Sequence, residues 1–112
     1  NSVMFGSLSG SKLGIWVAHG EGKFELPYDK ERYNVIAQYS YDAYPANPNG
    51  SPWSVAGVCS KDGRHLAMMP HPERAIFPWQ CGYYPADRKE NDEVTPWIEA
   101  FVNARKWIEN NK

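Results

Sequence analysis

Between Tyr44 and Pro52 the chain reads Tyr44-Pro45-Ala46-Asn47-Pro48-Asn49-Gly50-Ser51-Pro52, and no regular element can run through it. Each proline lacks a backbone donor and fixes φ, while Asn-Gly tolerates the positive φ of tight turns. Nine prolines and nine glycines lie along the 112 residues without a period, so the chain folds as short pieces joined by turns and not as a fibre. Its length allows one domain at most. Aromatics at 14% argue against intrinsic disorder.

The longest purely aliphatic or aromatic run, Ile15-Trp16-Val17-Ala18, falls far short of the roughly 20 residues that span a bilayer. Twelve basic residues balance thirteen acidic ones for a net charge of -1, which leaves no electrostatic footprint for nucleic acid or an anionic membrane. No basic segment leads into an apolar stretch, so no signal peptide is expected. Two cysteines, Cys59 and Cys81, are too few for a secreted disulfide scaffold and point to free thiols in a reducing, cytoplasmic setting. An oxidised Cys59–Cys81 pair is the alternative. The chain opens on Asn1 without an initiator Met, as a piece of something longer does.

Leu13–Ala18 is an apolar run of strand length, ended by His19-Gly20-Glu21-Gly22. Lys23–Leu26 reads as a short second strand, Asp29–Tyr33 as a helical turn, and Val35–Tyr41 as a further strand. Lys61-Asp62-Gly63-Arg64 separates the apolar runs Trp53–Ser60 and His65–Met69, and Asp-Gly between such runs predicts a hairpin over Trp53–Met69. Glu73–Asp92 is irregular. The chain ends in a helix, with Thr95 as N-cap, Pro96 at its first position, and Trp97, Phe101, Ala104 and Ile108 at helical spacing. These patterns alone describe an antiparallel α+β fold.

The sharpest local feature is Met68-Met69-Pro70-His71-Pro72-Glu73-Arg74. Each proline pushes the residue before it toward extended backbone, and in an extended segment His71 and Glu73 share a face. A carboxylate–imidazole hydrogen bond there would fix the tautomer, as the acid does in a nucleophile–base–acid triad. The same spacing also suits a surface turn in which both side chains meet only solvent or Arg74. His19-x-Glu21 repeats the spacing without prolines to enforce it. The Asn47–Ser51 loop (Asn47, Asn49, Gly50, Ser51) has amides able to hold a ligand or dock a partner, although its residues favour ordinary turn chemistry. Neither cysteine lies in a nucleophile elbow. Cys59 reads as a small buried hydrophobe, and Cys81 has no basic residue close to it in sequence to activate it. A metal site from His19, His65, His71, Glu21 and Glu73 lacks any tight ligand spacing, so no metal is expected.

Taken together, Ile15–Gly22, Asn47–Pro52, Met69–Arg74, Pro78-Trp79-Gln80 and Phe101–Arg105 make nearly the whole chain resemble the carboxy-terminal glutaminase domain of the phosphoribosylformylglycinamidine synthase family. The resemblance implies a class I glutamine amidotransferase domain, an α/β fold of flavodoxin-like, mostly parallel sheet. It implies a cysteine that attacks the glutamine amide, with His71 as base and Glu73 orienting it. It further implies ammonia passing to a synthetase portion that uses ATP and magnesium to make formylglycinamidine ribonucleotide in purine biosynthesis. The family's Gly-x-Cys nucleophile motif has no match here, and Cys81 falls downstream of the His–Glu pair. Residues 1–112 are therefore expected to be the C-terminal fragment of the domain, inactive alone. The upstream half would supply the nucleophile, and no cofactor is expected within the fragment.

Two other roles suit the same residues. One is a non-catalytic docking module for a synthetase partner, using the Asn47–Ser51 loop and the aromatic stretch Phe77–Tyr84. The other is a free-standing cysteine hydrolase using Cys59 or Cys81.

Overall fold

Lys61-Asp62-Gly63-Arg64 turns the chain back on itself as its composition demands. Gly63 sits at φ +75°, where a Cβ is penalised. Asp62 Oδ1 accepts hydrogen bonds from Ser60 Oγ (2.6 Å) and the Arg64 N–H (3.1 Å), and these hold its carboxyl below the usual range. The computed structural model describes residues 1–16, 20–82, 84–89 and 92–111. They divide into two compact units, one of residues 1–2 and 17–70, the other of residues 3–16 and 71–112.

The first unit is built on a three-stranded antiparallel sheet, β1 (Asn34–Gln38), β2 (Val55–Cys59) and β3 (Leu66–Met68), in that spatial order. Val55 and Ala56 on the central strand are its buried core; burying a side chain such as Val55 stabilises by about 1.5–3 kcal/mol. Val35 pairs with Val58 and Ala37 with Gly57, which leaves Ile36 as a bulged extra residue. The Ile36 side chain lies where it would meet a Cβ on Gly57 at 3.1 Å, so the bulge fills the space that the glycine leaves.

The hairpin forms where predicted but is shorter. Trp53 and Ser54 adopt φ +53° and +57°, left-handed backbone that a strand cannot contain, and β2 begins only at Val55. Two other expected strands are absent among the described residues. Leu13–Trp16 and Lys23–Leu26 run as irregular backbone, while Val17 and Ala18 lie outside the described residues. Side chains take backbone groups that a ladder would have used: Trp97 Nε1–H donates to the Gly14 carbonyl at 3.0 Å, and the Phe24 N–H donates to Ser51 Oγ at 3.3 Å. No parallel strand pair occurs among the described residues.

The second unit is organised by α2 (Ile98–Asn110), with a short helix, α1 (Ala86–Lys89), before it. Thr95 opens the leading turn as expected of an N-cap. Its carbonyl accepts the Ile98 N–H at 3.2 Å and its Oγ1 accepts the Trp97 N–H at 3.3 Å. The inward face, however, is carried by Trp97 and Ala100, which are buried, and by Asn103. Phe101 and Ile108, expected inside, are 36% and 56% exposed. The reason lies in the docking partner: Asn103 Nδ2 donates to the Met4 carbonyl (2.9 Å) and Ser7 Oγ (2.6 Å), and Phe5 meets Trp97 edge-on at 6.1 Å. Three single 3-10 turns, at Pro52–Ser54, Pro72–Arg74 and Pro78–Gln80, each start on a proline, where the missing N–H costs nothing. No helix among the described residues is long and apolar enough to cross a membrane.

Candidate active site

Pro70 and Pro72 leave His71 extended, at φ -108° and ψ 92°. From Pro72 the chain then tightens into the 3-10 turn to Arg74, closed by hydrogen bonds from the Arg74 N–H to the His71 carbonyl and from the Ala75 N–H to the Pro72 carbonyl, both 3.0 Å. That turn swings the Glu73 carboxylate back onto the imidazole, and His71 Nδ1 lies 2.9 Å from Glu73 Oε2. The pairing expected from spacing is present, but the device is a turn and not the shared face of a strand. The Glu73 backbone N–H and the His71 ring hold the carboxyl below its usual range, so it is ionised near neutrality and can only accept. The hydrogen bond therefore places the His71 proton on Nδ1 and leaves Nε2 with its lone pair. His71 and Glu73 side chains are 42% and 54% exposed, open to an incoming reactant.

Ala75 and Ile76, just past the turn, are anchored to the start of α2. Thr95 Oγ1–H donates to the Ala75 carbonyl at 2.5 Å, and the Thr95 N–H donates to the Ile76 carbonyl at 2.6 Å. Thr95 thus opens the turn that leads into α2 and tethers the His71–Glu73 turn, while the N-cap position itself falls at Trp97, two residues later than the sequence pattern placed it. Beyond it, Phe77 and Trp79 stack at 6.0 Å and remain exposed.

In the other unit the structure joins two motifs that the sequence left separate. Asn47, 4% exposed, donates to the Asp42 carboxylate (2.8 Å) and the Ser51 carbonyl (2.9 Å), and its Oδ1 accepts the Ser51 N–H (3.0 Å). Asn49 Nδ2 donates to the Gly20 carbonyl (2.6 Å) and the Gly22 carbonyl (2.9 Å). Ser51 is buried, and Gly50 supplies the turn at φ +73°. Glu21 lies exposed on the segment so held. His19 falls outside the described residues.

Cys59 is not the buried hydrophobe that its apolar run suggests: it is half-exposed, and its Sγ receives the Asn34 amide at 3.0 Å. Cys81 borders a cavity of about 280 Å³ with Lys12, Tyr84, Arg88 and Trp97 among its walls. Nothing in the sequence pattern pointed to this cavity. Both thiols are free.

The relatives that match almost the full chain include three worth naming. A protein of Arabidopsis thaliana described as a probable phosphoribosylformylglycinamidine synthase, chloroplastic/mitochondrial, is 43% identical over 97% of this chain. Proteins of Homo sapiens and Drosophila melanogaster described as phosphoribosylformylglycinamidine synthases are 42% and 43% identical, each over 95% of it. The chain spans only 9% of the length of each of these relatives. The sequence pattern of the CobB/CobQ-like glutamine amidotransferase domain matches residues 1–108, and the chain belongs to that family.

Proposed function

We propose that this chain is the C-terminal half of a flavodoxin-like, mostly parallel α/β glutaminase domain in a phosphoribosylformylglycinamidine synthase. In this reading it supplies the base and its orienting acid. The observation that carries it is the 2.9 Å His71–Glu73 contact with Nε2 left open, in a chain of glutamine amidotransferase family. A cysteine thiolate from the upstream half of the domain attacks the side-chain carbonyl carbon of glutamine. His71 Nε2 holds the proton taken from that thiol and passes it to the departing nitrogen, so ammonia leaves and a glutamyl thioester remains. His71 then takes a proton from water, the resulting hydroxide attacks the thioester, and glutamate and the thiol are released. Glu73 keeps the ring in the Nδ1–H tautomer throughout and stabilises the imidazolium.

The ammonia serves an ATP- and magnesium-dependent synthetase portion that converts formylglycinamide ribonucleotide to the amidine, within the cytoplasm. Within the first unit, His19, Glu21, Asn47, Asn49, Gly50 and Ser51 serve either substrate or an interface with a partner. Cys59 and Cys81 stand outside the chemistry.

The test is His71→Ala in the full-length protein that carries this chain. Glutamine-dependent product formation is expected to fall to background while ammonia-dependent formation persists. Equal loss of both activities overturns the assignment.

A further inference from the structure

Ala75 carries the link between the His71–Glu73 turn and α2, all within the second unit. Its N–H closes the turn on the Pro72 carbonyl at 3.0 Å. Its own carbonyl accepts the Thr95 hydroxyl at 2.5 Å, and the Ile76 carbonyl accepts the Thr95 N–H at 2.6 Å. One residue thus holds two successive carbonyls immediately after the turn. Thr95 is itself tied to the helix, since its Oγ1 and its carbonyl accept the N–H groups of Trp97 and Ile98. Thr95 and Ala75 are 2% and 1% exposed, so water has little access to either end of the hydroxyl bond. The His71–Glu73 bond, by contrast, is internal to a half-exposed turn. It fixes the tautomer of the ring but not the place of Nε2 relative to the rest of the unit.

We infer that Thr95 is a positioning residue for glutamine hydrolysis, its hydroxyl fixing where His71 Nε2 stands. This rests on the glutaminase reading above, in which His71 is the base. A base acts only within hydrogen-bond reach of the proton it takes, and a misplacement of about 1 Å can cost about 10²-fold in rate. Removing the hydroxyl takes from the buried Ala75 carbonyl the donor that satisfies it. The backbone must then shift to bring that carbonyl to water or to another donor. The turn moves with it, because the N–H of the same residue closes the turn. The tautomer set by Glu73 survives the shift, since that bond lies wholly inside the turn.

The experiment compares Thr95→Val and Thr95→Ser with the wild type and with His71→Ala in the full-length protein. Glutamine-dependent turnover is normalised to the ammonia-dependent turnover of the same preparation. Valine keeps the shape and the backbone N–H but has no hydroxyl, whereas serine keeps the hydroxyl and lacks only the methyl. In Thr95→Val the kcat with glutamine is expected to fall about 10–100-fold while KM stays within about threefold of wild type. Thr95→Ser should recover turnover to within about threefold of wild type. A kcat that barely changes in Thr95→Val overturns the inference, as does a raised KM at unchanged kcat or a serine variant as slow as the valine one. If Thr95→Val fails to fold, Thr95→Ala, whose smaller side chain admits water to the Ala75 carbonyl, decides by the same kcat and KM readouts. A His71→Ala protein that still uses glutamine defeats the base assignment itself, which is a separate failure.

Discussion

The Trp16 indole lies directly over Gly82, so that a Cβ added there would stand 2.8 Å from Cζ2 of the ring. The ring is pinned in place, because its Nε1–H donates to the Gln80 carbonyl at 2.7 Å. Gly82→Ala therefore forces either the indole off its acceptor or the backbone aside. Because Trp16 is 60% exposed and can yield outward, the cost is about 1 kcal/mol, at the low end of core overpacking. The expected outcome is a lower denaturant midpoint for Gly82→Ala in the wild-type background and no further loss in Trp16→Ala. Additive losses in the double variant would show that the two residues do not meet.

Removing the charge of Glu73 while keeping its shape isolates its work on His71. In Glu73→Gln the side chain can present either an amide nitrogen or a carbonyl to Nδ1, and the ring loses its single preferred tautomer. Glutamine-dependent turnover in the full-length protein is expected to fall by roughly 10²–10⁴-fold, with ammonia-dependent turnover retained. A change of less than threefold would remove Glu73 from the proposed mechanism.

Asn47 is buried, and its amide satisfies both the N–H and the carbonyl of Ser51. Asn47→Ala leaves the buried Ser51 N–H unpaired, while the Ser51 carbonyl keeps the Ser54 N–H at 3.2 Å, at a cost of about 1–3 kcal/mol. Chemical denaturation followed by tryptophan fluorescence should report this as a shifted midpoint with an unchanged slope. An unshifted midpoint would mean that water replaces the amide freely.

Tyr84 and Asp92 titrate as partners. The phenol donates to Asp92 Oδ2 at 2.5 Å, and Arg88 Nε donates to the same oxygen at 3.1 Å. The Tyr84 bond, with a smaller contribution from that of Arg88, holds the Asp92 carboxyl below its usual range, and the bond to Asp92 pushes the phenol up. A depressed carboxylate contributes stability above its ordinary pKa and loses it as pH falls through the folded value. A raised phenol contributes below its ordinary pKa and loses it as pH rises through the folded value. Tyr84→Phe should therefore move the Asp92 carboxyl upward in an NMR titration and weaken the acid-side dependence of stability. An Asp92 titration identical to wild type would refute the coupling.

Local chemistry was legible where a few residues settle the geometry. Asp62-Gly63 specified its hairpin, Thr95-Pro96 the start of α2, and Pro70-His71-Pro72-Glu73 a paired imidazole and carboxylate. What the pattern could not show was which long-range partner each segment would find. Leu13–Trp16 has strand composition, but a strand exists only beside another edge, and its backbone meets the Trp97 indole instead. Phe101 and Ile108 have the spacing of a buried face. Yet the helix is oriented by Asn103, a polar residue whose two acceptors lie 96 and 99 positions away. The link between Asn49 and the two glycines was invisible for the same reason. It joins residues 29 and 27 positions apart through one amide, and no periodicity encodes such a bond.

The His71–Glu73 turn spans three residues and closes on its own backbone carbonyls. Its internal geometry is therefore a short-range property of the chain, while the Thr95 tether fixes where the turn sits. Remodelling of remote parts of the domain over evolutionary time can leave such a cassette intact, and one descendant after another can inherit the proton-handling pair as a ready-made unit.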